Sequence, residues 1–156
     1  MKFIADCMLG KLAKWLRILG YDTLYQRPPG DAALAQKALA AGRLLLTRNA
    51  KLLARLPLQA GLLIASDHVA EQLQQVVFTL HLEVSDHLLT RCLACNAELQ
   101  PIAKHEAAAA VPDFIYHTHA DFARCPRCGK IYWQGSHHAH IAARVKHLQT
   151  SNDSSL

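Results

Sequence analysis

Two cysteine pairs constrain this chain more than any other feature: Cys92-Leu93-Ala94-Cys95 and Cys125-Pro126-Arg127-Cys128. Each sets two thiolates on one tight turn, and two such turns close a tetrahedron around Zn²⁺. Gly129, directly after the second pair, supplies the positive φ that lets backbone amides point at the sulfurs. The pairs stand 29 residues apart, 96–124, more than the usual finger spacing, so an insertion is expected to loop out between the knuckles. A redox dithiol would account for one pair and leave the second unexplained. Cys92, Cys95, Cys125 and Cys128 are therefore expected to hold a structural zinc ion, and the chemistry must be sought upstream.

A chain of 156 residues, 51% hydrophobic and 19% charged, supplies enough apolar surface for a packed core. No apolar run reaches the ~18 residues of a membrane span. The N-terminus meets Asp6 at once, without a signal-peptide core. With cysteines spaced for metal, this predicts a reducing, cytoplasmic setting and no membrane partner. Cys7 stands outside the pairs and is expected to be a buried free thiol. The formal charge of +5 permits a nucleic-acid partner without demanding one.

The first ninety residues alternate short β-like runs with helical patterns. Lys2–Ala5, Thr23–Tyr25, Arg43–Thr47 and Gly61–Ala65 read as strands. Met8, Leu9, Leu12, Trp15, Leu16 and Leu19 recur at helical spacing up to Gly20. Further helices are expected from Asp31 to about Ala41, from Asn49 to Leu56 and from Val69 to Leu80, with Arg27-Pro28-Pro29-Gly30 as a break. This order implies an α/β fold, a parallel sheet with helices on both faces. Such sheets bind ligands beyond the carboxyl ends of their strands. Asp6, Thr47-Arg48-Asn49, Ser66-Asp67 and Asp31 then collect on one edge, although they lie far apart in sequence. Composition turns to Cys, His and Pro near residue 90. The expected organisation is an α/β domain over residues 1–88, a zinc ribbon over 89–140, and a short helix with a disordered tail over 141–156.

The run from Ala5-Asp6-Cys7-Met8-Leu9-Gly10-Lys11-Leu12 through Ala13-Lys14-Trp15-Leu16-Arg17-Ile18-Leu19-Gly20-Tyr21-Asp22 resembles the opening block of the Mut7-C ribonuclease family, a branch of the PIN-like nucleases. Gly42-Arg43-Leu44-Leu45-Leu46-Thr47-Arg48-Asn49 resembles its third-strand block. Both cysteine knuckles, the second continuing through Tyr132-Trp133 to His137, resemble its zinc ribbon. The resemblance implies a PIN-like nuclease domain followed by a C-terminal zinc ribbon, and cleavage of RNA with Mg²⁺ or Mn²⁺ held by acids at the strand ends. Asp6 and Asp31 match two of those acids. Asn49 stands where the family usually has aspartate.

Phosphodiester cleavage needs an activated water and a stabilised phosphorane, and hard cations on carboxylate oxygens supply both. Asp6 and Asp31 are the expected ligands, with Asp67 as a third carboxylate and Asn49 offering a carbonyl oxygen without charge. Bland readings stand beside these. Asp31 and Asp67 are both placed to cap helices, and Asp22 to set the start of the second strand. Lys11, Lys14 and Arg17 lie opposite the apolar stripe of the first helix, and with Arg48 they form the candidate RNA-binding set; a solvated helix face is the alternative. Tyr132 and Trp133 either stack on bases or pack the ribbon's small core. His137, His138 and His140 are surplus to a complete Cys₄ set.

Two functions follow as expectations. The first is a metal-dependent ribonuclease whose ribbon aids RNA binding. The second is a catalytically weakened PIN-like module that binds RNA or protein, and Asn49 is the residue that favours it. The sequence names no protein partner and sets no oligomeric state.

Overall fold

The computed structural model describes residues 1–25, 30–84 and 87–153; the expected break at Arg27-Pro28-Pro29 lies outside them. The chain divides into two compact units, Met1–Leu89 and Thr90–Leu156.

In the first unit the order is β1 (Lys2–Ala5), α1 (Gly10–Ile18), β2 (Asp22–Tyr25), α2 (Asp31–Ala40), β3 (Leu44–Thr47), α3 (Ala50–Leu53), β4 (Gly61–Leu63) and α4 (Val69–Thr79). The four strands form one parallel sheet in the order β2-β1-β3-β4. The chain moves one way from β1 to β2 and returns past β1 to β3. Right-handed crossovers then require α1 on one face and α2 and α3 on the other. The core agrees: Ile4 and Leu45 pack with Leu34, Ala35, Ala38 and Leu52, from α2 and α3, while α1 and α4 pack against each other. The reversal places a topological switch point between β1 and β3, where such sheets receive ligands.

Helix ends follow local chemistry. Gly20, at φ +89°, ends α1, with its own amide bonded to Arg17 and that of Tyr21 to Leu16. A Cβ there would sit 2.3 Å from the His87 carbonyl oxygen, so a side chain is excluded on two counts. At the amino ends of the strands, Arg43 forms a forked ion pair with Asp22 at 2.7 and 3.1 Å and donates to the Phe3 carbonyl at 3.2 Å. One guanidinium thus ties β2, β1 and the start of β3, the strand-setting role expected of Asp22.

The edge strand β4 is short, and a side chain guards its open side. Gln75 Nε2 donates to the Leu63 carbonyl at 2.8 Å, and its Oε1 accepts the Ala65 amide at 3.1 Å.

The second unit holds both knuckles, an antiparallel sheet in the order β5-β6-β7 and a long helix. The strands are β5 (Gln100–Ile102), β6 (Phe122–Arg124) and β7 (Ile131–Trp133). The segment between the knuckles does not simply loop out. It supplies β5, β6 and two short helices, α5 (Lys104–Ala107) and α6 (Asp113–Thr118). The small core of Ala107, Val111 and Phe122 with Ile102, Ile115, Ile131 and Trp133 explains why the insertion is ordered. The last helix, α7 (Ser136–Asp153), begins before residue 141 and runs on into the stretch expected to hold only a short helix and a disordered tail.

Candidate functional site

Asp6 directly follows β1 and is 6% exposed. Its Oδ1 accepts the Met8 amide at 2.8 Å; its Oδ2 accepts the Thr47 hydroxyl at 2.5 Å and the Arg48 amide at 3.1 Å. Burial without pairing would be costly for a carboxylate, and these three donors offset that cost. Thr47 ends β3 fully buried, and its Oγ1 also accepts the Asn49 amide at 3.0 Å. Asn49 then reaches α2: its Nδ2 donates to Asp31 Oδ2 at 2.8 Å. One hydrogen-bonded chain, Asp6–Thr47–Asn49–Asp31, therefore crosses the carboxyl edge of the sheet at the switch point.

The position of each member has a local cause. Asn49 is extended (φ −98°, ψ 101°) and is the N-cap of α3, its Oδ1 accepting the Lys51 and Leu52 amides at 3.0 and 3.3 Å. Two backbone donors fix the oxygen on that side and leave the NH₂ for Asp31. The oxygen expected to face a cation is thus occupied by the helix. Asp31 is not a cap: Gly30 holds the N-cap position at φ +147°, and Asp31 begins the helix without a side-chain cap bond. Asp67 neither caps α4 nor meets this chain. It is 70% exposed beside His68, 3.5 Å away, and Ser66 Oγ accepts the His68 amide at 3.0 Å instead.

Of the four basic candidates, Lys11 and Lys14 are exposed on α1, and Arg48 is half-buried beside Asp6. Arg17 parts from them. It is 7% exposed, and its Nε donates to the Thr23 carbonyl at 2.9 Å, so it serves packing between α1 and β2. Cys7 is exposed, not buried, because the turn that lets Asp6 accept the Met8 amide turns the intervening side chain outward.

Two residues here have roles that the sequence does not show. Thr47 reads only as part of the polar edge, and its hydroxyl joins Asp6 to the Asn49 amide. Tyr25 lies over Gly10, where a Cβ would come within 2.9 Å of its ring, and its hydroxyl donates to the Cys7 carbonyl at 3.0 Å.

In the second unit the four sulfurs of Cys92, Cys95, Cys125 and Cys128 lie within 4.8 Å of one another. Opposite pairs approach at 3.6 Å (Cys92–Cys128) and 3.2 Å (Cys95–Cys125). A tetrahedral Zn²⁺ with ~2.3 Å bonds wants about 3.8 Å between sulfurs, so the set fits that ion after a small expansion. The two turns repeat one pattern. Cys92 and Cys125 each donate their amide to the residue five ahead, at 2.8 and 2.9 Å, and each accepts from the residue four ahead. That fourth residue has positive φ in both, Asn96 at 69° and Gly129 at 74°.

Without a cation the thiols divide their protons unevenly. Burial opposes the Cys92 thiolate, yet hydrogen bonds from Tyr132 and the Cys95 backbone outweigh it and bring the thiol down to about 6. Removal from water pushes Cys95 up to about 12, with the Cys125 and Cys92 sulfurs adding to it. Metal binding would release the remaining protons. Among the described residues this is the only cluster placed to hold a metal through three or more such side chains, and it includes no histidine; the side chain of His137 lies outside the description.

A parallel α/β unit with a polar chain at its switch point, followed by a four-thiol ribbon, defines a two-part protein with separate site and metal knuckle. The chain belongs to the family of the Mut7-C RNAse domain, whose model matches residues 1–145 of the 156. The family is thus that of a ribonuclease domain. Among the curated proteins and the solved structures compared with the chain, none matches it. No helix among the described residues is long and apolar enough to cross a membrane.

Proposed function

We propose that the first unit is a metal-dependent ribonuclease that cleaves RNA phosphodiester bonds at the Asp6–Asp31 edge. The observation that carries this reading is the chain Asp6–Thr47–Asn49–Asp31, which gathers two acids from separate elements at a ligand-binding edge in a chain of ribonuclease family. Asp6 and Asp31 would hold Mg²⁺ or Mn²⁺, which supplies an activated water and charge for the phosphorane. Thr47 and the Arg48 amide orient the Asp6 carboxylate. Lys11, Lys14 and Arg48 are the proposed contacts to RNA phosphates. The ribbon binds zinc and assists in holding RNA. Thiols kept reduced for metal suit a cytoplasmic location.

Asp31→Asn is the sharper test, because Asp31 is exposed at a helix start and its loss disturbs the fold little. Single-stranded RNA with Mn²⁺ should be cut by wild type and not by Asp31→Asn or Asp6→Ala, with melting curves to confirm folding. Equal cleavage by Asp31→Asn would remove the assigned site.

A second reading is a binding module with lost catalysis. It is favoured by Asn49, whose oxygen caps α3 and whose amide already occupies Asp31. It predicts salt-dependent RNA binding with no divalent-dependent cleavage.

A further inference from the structure

Tyr132 is the middle residue of β7, opposite Ala123 of β6. Its neighbours Ile131 and Trp133 pack against the ribbon core of Ala107, Val111 and Phe122. Strand alternation carries Tyr132 to the other face. There its hydroxyl lies 3.1 Å from Cys92 Sγ and also 3.1 Å from the Leu93 amide nitrogen. An amide can only donate, so the phenol oxygen accepts from Leu93. The phenol's one proton is left to point at the sulfur. A metal-bound cysteine is a thiolate and can only accept, which matches that polarity.

Among the described residues, no phenol takes this place at the second knuckle. There the Cys128 amide approaches Cys125 Sγ at 3.4 Å, within the same turn. The first knuckle instead borrows a donor from the strand that follows the second, 40 residues away in sequence. Of the two first-position thiols, Cys92 and Cys125, both fully buried, Cys92 is thus the one held by a phenol.

We propose that Tyr132 is an outer-shell positioning residue for the ribbon's metal: its hydroxyl clasps the Cys92 thiolate, orients it through the Leu93 amide, and fastens the first knuckle to the second. Outer-shell partners of this kind change metal affinity by about 10–100-fold. The hydroxyl acts here on the sulfur's charge and direction, while the ring fills space that phenylalanine would fill equally.

The test is zinc affinity of the full chain, measured by competition with a chromophoric chelator. Tyr132→Phe should bind zinc about 10-fold or more weakly and shift the thiolate-to-cobalt absorption of the Co²⁺-loaded protein. Ile131→Val trims the same strand without touching the metal, and should leave both readouts unchanged. Leu93→Pro removes the amide that orients the phenol. Pro126 holds the same place in the second knuckle, so the turn accepts proline. Leu93→Pro should weaken zinc binding several-fold in the wild-type background and not at all in Tyr132→Phe. Unchanged affinity and cobalt spectrum in Tyr132→Phe would overturn the proposal. So would a loss matched by Ile131→Val, or an equal effect of Leu93→Pro in both backgrounds. Should Tyr132→Phe fail to fold, Leu93→Pro alone decides: no loss of affinity relative to wild type refutes the clasp.

Discussion

Replacing Asn49 with aspartate is the perturbation to which the candidate site is most sensitive. Aspartate caps a helix as well as asparagine does, so the bonds to Lys51 and Leu52 survive. What changes is the other atom. The NH₂ now 2.8 Å from Asp31 Oδ2 becomes a carboxylate oxygen. Two unit charges about 4 Å apart repel by about 1 kcal/mol in water and about 4 kcal/mol near a protein surface. Asp31 is exposed, so the cost lies toward the lower end, and with the lost hydrogen bond it comes to about 2 kcal/mol. In a unit of this size that is on the order of 10 °C in melting temperature. A divalent cation relieves the same repulsion. Thermal melts in EDTA should place Asn49→Asp below wild type, and millimolar Mn²⁺ should raise the variant more than the wild type. A variant that melts with wild type in EDTA, or gains no more from Mn²⁺, would refute the assigned Asn49–Asp31 contact.

Three further outcomes follow from the same geometry. Arg43→Met removes the forked pair to Asp22 and unties three strands at once, which should cost about 3 kcal/mol in urea denaturation; a loss under 1 kcal/mol would mean the pair is mere surface. Burial raises the Tyr21 proton affinity, and its hydroxyl donates to the Glu83 carbonyl at 2.8 Å. The folded chain therefore keeps a proton that the unfolded chain releases from about pH 10 upward, so stability is whole below that pH and declines above it. Tyr21→Phe should flatten this decline while lowering stability at pH 7, and an unchanged alkaline slope would contradict the assignment. Finally, a zinc chelator should speed hydrogen exchange at the Asn96 and Gly129 amides, which close the knuckles, and leave the β1–β3 amides of the other unit protected. Uniform loss of protection would show that the units do not unfold separately.

The elements legible in the sequence are those whose cause is local. Apolar periodicity and a glycine stop were enough for α1, and alternation of short apolar runs with helices was enough for the parallel sheet. The four thiols came from spacing alone. What stayed hidden depends on a distant partner. Arg17 lies opposite the apolar stripe and reads as a solvent-facing residue, yet the Thr23 carbonyl waits for it in the next element. The strands of the insertion between the knuckles stayed hidden because they are three residues long and become strands only by pairing; of its helices, only Ala107–Ala110 offered a possible start, with a loop as the alternative. Cys7 reads as buried from composition, and one Asx turn exposes it.

Capping divides Asp31 from Asn49, and the division bears on how the site meets a cation. Both residues stand at helix starts, and both are good caps in sequence. The backbone decides: Gly30 at φ +147° holds the cap position and admits Asp31 into the helix, while Asn49 is extended and stays outside. Asn49 thereby becomes a donor aimed at an acid, and Asp31 becomes its acceptor. Asp6, for its part, already has three donors. The edge is therefore hydrogen-bonded as it stands, with no bare pair of carboxylates forcing a cation in. A divalent ion must compete with those bonds, and each charge-assisted bond it displaces removes about 1.5–3 kcal/mol from its apparent binding, or roughly tenfold or more in affinity. Metal dependence of any cleavage should accordingly lie in the millimolar range and move to lower concentrations in Asn49→Asp, where the competing donor is gone.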